Sequence, residues 1–125
     1  MQQVKQSNTA PELAVRKFLF SRGYRYRLHR KSLPGNPDIV FPSRRKVIFV
    51  HGCFWHGHQD CSRSTLPRTR LAYWRGKIEK NRERDAFSIT ALQQLGWGVY
   101  VIWECKVKGL IELETDLISF LEDRI

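Results

Sequence analysis

The stretch His51-Gly52-Cys53-Phe54-Trp55-His56-Gly57-His58-Gln59-Asp60-Cys61 gathers three of the chain's four histidines and two of its three cysteines into eleven residues. It is polar and irregular, and its thiols and imidazoles are the donors that zinc takes, four at a time, from short loops. Cys53-x4-His58-x2-Cys61 offers three ligands, and Cys105 is the one cysteine left to close the shell. A Cys3His shell without an open position is structural, not catalytic. Spacing prefers His58 to His56 as the nitrogen ligand without deciding between them. The bland alternative, free thiols beside unrelated histidines, fits so dense a cluster poorly.

An odd number of cysteines does not make a complete disulfide framework, and Met1 to Gln6 lacks the apolar core of a signal peptide. Reduced or metal-bound thiols in a cytoplasmic protein are therefore expected. No apolar run approaches the roughly 18–20 residues that span a bilayer, so a membrane partner is not expected. The 125 residues suffice for one core, so residues 1–125 are read as a single domain. At 42% hydrophobic and 12% aromatic residues the chain is too apolar to stay disordered.

The net charge of +10 favours a polyanionic partner. Ten Lys and Arg fall within residues 16 to 46, against the single acid Asp38, and eight more within residues 63 to 84, against Glu79 and Glu83. Basic side chains this dense repel one another unless an anion binds between them, which points to nucleic acid.

Thr9-Ala10-Pro11-Glu12 has the form of a helix capping box, and the helix it opens should stop at Gly23. Tyr24 to Leu28 alternates aromatic or apolar with basic residues, the period of a half-exposed strand. Ile39-Val40-Phe41, the turn Pro42 to Arg45 and the apolar run from Lys46 to Val50 read as a hairpin. A long helix is expected from about Leu71 to Leu95, a further strand from Trp97 to Trp103, and an amphipathic helix on Leu110, Leu113, Leu117, Ile118 and Leu121. This order predicts an α/β (α+β) fold, one mixed sheet flanked by helices.

The hairpin places Asp38 and His51 at the ends of neighbouring strands, with His56 close by. A carboxylate beside imidazoles suits a metal-dependent phosphodiesterase: carboxylate oxygen binds Mg²⁺, and an imidazole that titrates near neutrality moves the proton. By itself the pattern is weak, since a strand-end Asp is more often a turn former. Phe54 and Trp55, adjacent in a tight loop, cannot both enter one core, so at least one should face outward. Beside a basic surface such aromatics can wedge between bases, and Trp74 is a third candidate.

The sequence as a whole resembles the very-short-patch-repair (Vsr) DNA mismatch endonucleases. The resemblance lies in Asn8-Thr9-x-Pro11-Glu12, Leu33-Pro34-Gly35-x-Pro37-Asp38, Val47 to His56, Lys77-Ile78-x-x-Asn81-x-x-Arg84-Asp85, Leu95-Gly96-Trp97 and Val101-Ile102-Trp103-Glu104-Cys105, in order and at the family's spacing, over roughly residues 8 to 108. It implies a restriction-endonuclease-like core and a Mg²⁺-dependent enzyme that nicks one strand 5′ to the thymine of a T:G mismatch. By the same resemblance Asp38 and the Val50 carbonyl are Mg²⁺ ligands, His51 and His56 are active-site histidines, and Glu12 approaches the site. Cys53, His58, Cys61 and Cys105 match structural Zn²⁺ ligands, and Phe54, Trp55 and Trp74 match the aromatics that intercalate beside the mismatch. The implied partner is double-stranded DNA containing a T:G mismatch, met by a monomer, with other mismatch-repair proteins as candidate associates.

Three features depart from the family pattern. Only seven residues precede Asn8, where relatives commonly carry a longer arm that touches DNA, so a weaker grip on the mismatch is expected. The His58 to Cys61 segment is one residue longer, and Val50 stands where some relatives have Thr. Two rival readings are a homing or restriction-type endonuclease on the same scaffold, and a non-catalytic, zinc-stabilised DNA-binding module that would not need Asp38.

Overall fold

In the computed structural model residues 9–59 and 61–123 are described; Asn8 and the seven residues before it lie outside them. Helix α1 (Ala10–Ser21) begins as the capping pattern predicts: Thr9 is extended, and its hydroxyl accepts the Glu12 amide at 3.4 Å. It ends at Gly23, whose φ of 92° is a left-handed conformation that favours glycine. The helix buries Glu12, Val15 and Leu19. A carboxylate on that inward stripe is the local exception, because Glu, unlike Val and Leu, needs a partner when buried.

Four strands follow in spatial order β1-β2-β3-β4: β1 (Arg27–Leu28), β2 (Ile39–Phe41), β3 (Lys46–His51) and β4 (Gly98–Trp103). The first three pair antiparallel, and β4 pairs parallel to β3 after the crossover through helix α2 (Leu71–Gln94). Helix α3 (Leu110–Glu122) closes the chain. The fold is thus a mixed sheet flanked by helices, as expected. Strand β1 is shorter than the alternation from Tyr24 suggests. Tyr24 and Tyr26 pack edge-on against Phe41, and their hydroxyls bond Glu122 and the Arg16 carbonyl, so this segment is fixed by its side chains and only its end joins the ladder.

Alternation along β2 and β3 sends Ile39, Phe41 and Ile48 to one face, where they meet Val15, Leu19, Leu117 and Leu121 of α1 and α3. Val40, Val47 and Phe49 go to the other face, where they meet Leu92 of α2. Both faces are covered, which accounts for the unbroken apolar run of β3. Each fully buried Val, Ile or Leu contributes about 1.5–3 kcal/mol, so these layers hold the strand ends firmly. The loop before β2 lies close to α2: a Cβ on Gly35 would stand 2.8 Å from the Ser88 Cβ. A residue with a side chain there would push apart the loop that leads into Asp38.

Candidate active site and metal centre

The C-terminal end of β3 meets the start of β2, and three groups of chemistry-bearing side chains assemble around it. In the first, the donor atoms of Cys53, His58, Cys61 and Cys105 all lie within 4.8 Å of one another. His58 Nδ1 is 3.5 Å from Cys105 Sγ, close to the edge of roughly 3.5 Å that Zn–S and Zn–N bonds give in a tetrahedron. The loop is pinned from outside: the Cys53 amide donates to Glu104 Oε1 at 3.3 Å, and Ser64 Oγ donates to the carbonyls of His58 and Cys61, both at 2.7 Å. Burial, reinforced by contact with the Cys105 and Cys61 thiols, pushes Cys53 up to about 12. Neutral crowded thiols become thiolates when a cation neutralises them, so this donor set suits a soft or borderline metal. His58, and not His56, sits in the cluster.

The second group is His51, His56 and Asp85. The two imidazoles stack face to face, centroids 3.9 Å apart and 3° from parallel, and His56 Nδ1 lies 2.5 Å from Asp85 Oδ2. His51 is only 5% exposed and its Nδ1 finds no hydrogen-bond partner among the described residues. Burial, and then the neighbouring His56, lowers it to about 4, against the opposing effect of Asp85. His51 is therefore a neutral imidazole at physiological pH. Trp103 ties this group to the first, stacked on His58 at 4.1 Å and edge-on to His51 at 5.2 Å. Both histidines and Asp85 line an open cleft of about 440 Å³ with Arg82 and Trp103.

Asp38 belongs to the third group, with Glu12 and His29. Its Oδ2 accepts the Val50 amide at 2.7 Å, and His29 Nε2 lies 2.7 Å from Glu12 Oε2. Burial raises Asp38 to about 6, with Glu12 adding to the rise, while the Val50 N–H, His29 and His56 oppose it. Two carboxylates crowded at a buried strand end are the hard oxygen donors that a divalent cation takes. Asp38 and His51 stand at adjacent strand ends as the hairpin requires, but each belongs to a group completed by a residue that the strand pairing does not supply.

The residues that complete the groups are His29 and Asp85, to which the sequence alone gives no role. Asp85 had a signal: it lies four residues after Asn81, hence on the same helix face, and Asn81 Nδ2 donates to the Trp55 carbonyl at 2.8 Å. One face of α2 therefore grips the Cys- and His-rich loop twice. His29 had no comparable signal, since it follows a two-residue strand in a left-handed conformation.

Phe54, Trp55 and Trp74 form a three-ring cluster with centroids 5.1 to 5.8 Å apart, all partly exposed, joined by the exposed Tyr73 at 5.2 Å from Trp74. Gly57 lets the loop turn back onto α2; its φ is 60°, and a Cβ there would come within 2.6 Å of Ile78. The basic surface is smaller than the sequence count. Arg22 pairs with Glu114, Arg44 with Glu122, Arg45 Nη2 donates to the Leu95 carbonyl, and Lys46 is buried. Arg25, Arg27, Arg30 and Lys31 stay exposed, as do Arg75, Lys77, Lys80, Arg82 and Arg84 along α2.

A carboxylate pair at a strand end, an imidazole pair in an open cleft and a flanking basic surface suit a DNA endonuclease. The family model of the DNA mismatch endonuclease Vsr matches residues 1–63. Over 122 residues the chain is 58% identical to the type II nicking enzyme V.XorIIP of Xanthomonas oryzae, spanning 98% of this chain and 89% of that one. It is 44% identical to the type II nicking enzyme V.NmeAIP of Neisseria meningitidis over 87% of this chain and 77% of that one. It is 41% identical to the DNA mismatch endonuclease Vsr of Escherichia coli over 95% and 76%. The chain belongs to the Vsr family of DNA mismatch endonucleases.

Proposed function

We propose that the protein is a Mg²⁺-dependent endonuclease that nicks one strand of DNA 5′ to the thymine of a T:G mismatch, acting as a monomeric single domain on a restriction-endonuclease-like core. The observation that carries this reading is the meeting of Asp38, crowded by Glu12, with the His51–His56 pair at one sheet end beside a partly exposed aromatic cluster. The names of its relatives, nicking enzymes and a mismatch endonuclease, support strand nicking as the outcome. The working site is taken to be cytoplasmic; among the described residues no helix is long and apolar enough to cross a membrane.

Asp38 and the Val50 carbonyl would hold Mg²⁺, with Glu12 beside them. Bound there, the ion supplies charge stabilisation to the phosphate and a more acidic water. His56 donates its Nδ1–H to Asp85, which leaves Nε2 as the acceptor that takes the proton from the attacking water. His51 stays neutral and offers a hydrogen bond without charge; its Nδ1 has no partner among the described residues. Cys53, His58, Cys61 and Cys105 would hold one Zn²⁺ as a staple that keeps His56, which lies between two of them in sequence, facing the cleft. Exposed Arg and Lys of α2 would take phosphates, while Phe54, Trp55 and Trp74 fill the weak step beside the mismatch. Other mismatch-repair proteins are natural associates for such a nick.

The test is a labelled T:G duplex beside its T:A twin, with and without Mg²⁺. A Mg²⁺-dependent nick of the mismatched duplex alone is expected. Cleavage of a paired site would favour the restriction-type reading, and binding without cleavage the DNA-binding module.

A further inference from the structure

We propose that His29 is a positioning residue that locks Glu12 and Asp38 into one cation-binding centre; this rests on the reading of Asp38 as a Mg²⁺ ligand. Glu12 comes from α1 and Asp38 from the mouth of β2, and neither element by itself sets the distance between the two carboxylates. His29 touches both. Its amide donates to the Asp38 carbonyl at 3.2 Å, one step past the Leu28↔Ile39 pair, and its ring Nε2 lies 2.7 Å from Glu12 Oε2. Donor atoms of all three residues lie within 4.8 Å of one another.

The backbone of His29 is turned to make both contacts. Its φ of 46° is left-handed, a conformation that residues with a Cβ adopt at a cost and that persists when the surroundings hold it from two sides. Arg16 Nη1, from the same helix, reaches Glu12 Oε2 at 3.4 Å, and the shorter His29 Nε2–H contact at 2.7 Å ties that oxygen to the β1 end. The Val50 N–H fixes Asp38 Oδ2, so each carboxylate is held in a set direction. Hydrogen bonds of this kind orient metal-ligating carboxylates, and their loss weakens metal affinity or activity by about 10- to 100-fold.

The test uses the zinc-loaded protein without DNA, with Mn²⁺ as the probe, titrated by the loss of the free Mn²⁺ paramagnetic signal. His29→Asn tolerates the left-handed backbone and so preserves the turn, but its amide stops short of Glu12. His29→Gln puts an amide N–H near the place of Nε2. His29→Asn should weaken Mn²⁺ binding by about 10- to 100-fold and lower kcat for nicking with little change in KM for DNA, and His29→Gln should recover most of both. A purely structural role would shift Tm and leave the Mn²⁺ affinity of the folded protein alone, so parental affinity in folded His29→Asn overturns the proposal. Asp38→Ala is run in parallel. If it loses metal and nicking while His29→Asn keeps both, only the role of His29 falls; if it keeps both, the metal-site reading falls as well.

Discussion

His56 and Asp85 meet Nδ1 to Oδ2 at 2.5 Å, a loop histidine held by a carboxylate from the middle of the crossover helix. The contact fixes the tautomer of His56 and the direction of its remaining nitrogen. Asp85→Asn keeps the shape but not the charge that steadies an imidazolium, so kcat should fall by about 10²-fold or more while zinc content and Tm change little. His56→Ala should slow the cut by about 10²- to 10⁴-fold. Parental kcat in Asp85→Asn would reduce the pair to a loop clamp.

Asp38 gives a pH prediction with a definite sign. In the folded protein without Mg²⁺ it keeps its proton to about pH 6, against an ordinary value of 3.8, because it is buried and faces Glu12. Between those values the folded state binds a proton that the unfolded chain has released. Stability from this group therefore falls as pH rises from about 4 to 6 and stays low above. His51 runs the other way, from 6.5 unfolded to about 4 folded, so its contribution is lost as pH falls through that window. Asn at position 38 can still accept the Val50 amide and carries no charge. Asp38→Asn should match the parent near pH 4 and exceed it by about 1–2 kcal/mol above pH 6, measured by thermal melts of zinc-loaded protein without Mg²⁺. Equal melts at pH 7.5 would mean that Asp38 ionises there without penalty.

The Cys3His cluster predicts one equivalent of zinc in the purified protein. Cys105→Ser should lose the metal and much of the stability, because binding of the ion is part of the folding free energy once Cys105 ties the loop to the end of β4. Nicking should fall with it, since His56 sits inside the loop and Trp103 stacks on His58 while touching His51 edge-on. Folded, active protein with no zinc by metal analysis contradicts the assignment.

What could be read from the sequence, and what could not, divides by the range of the interaction. The cap at Thr9, the stop at Gly23, the β3 run and the spacing of Cys53, His58 and Cys61 are local, and each lies where its pattern put it. Cys105 was reachable by elimination. His29 has no sequence signal and Asp85 only its spacing from Asn81, because their contacts arise where α1, β2 and α2 converge on the same sheet end. The first basic block was overcounted for the same reason: Arg22, Arg44 and Lys46 serve distant partners or the interior, which charge density along the chain does not reveal.

A substitution at Trp55 tests recognition apart from attraction. Trp55→Ala removes one ring of the cluster it shares with Phe54 and Trp74, at 5.1 and 5.8 Å. It should narrow the preference for mismatched over paired DNA more than it weakens binding to either, because the ring fills space that a weak base step opens cheaply. Arg75→Ala or Lys77→Ala on α2 should instead weaken both complexes alike and flatten the salt dependence. Equal loss on both duplexes from Trp55→Ala would place it among the general contacts.

The most direct measurement is Mg²⁺-dependent nicking of a T:G duplex by the parent and by Asp38→Ala, with zinc content and DNA affinity checked on the same preparations. The expected result is a single nick 5′ to the mismatched thymine by the parent, none in the T:A twin, and none by Asp38→Ala although it folds, holds zinc and binds DNA. Nicking by Asp38→Ala at the parental rate would contradict the catalytic site described above.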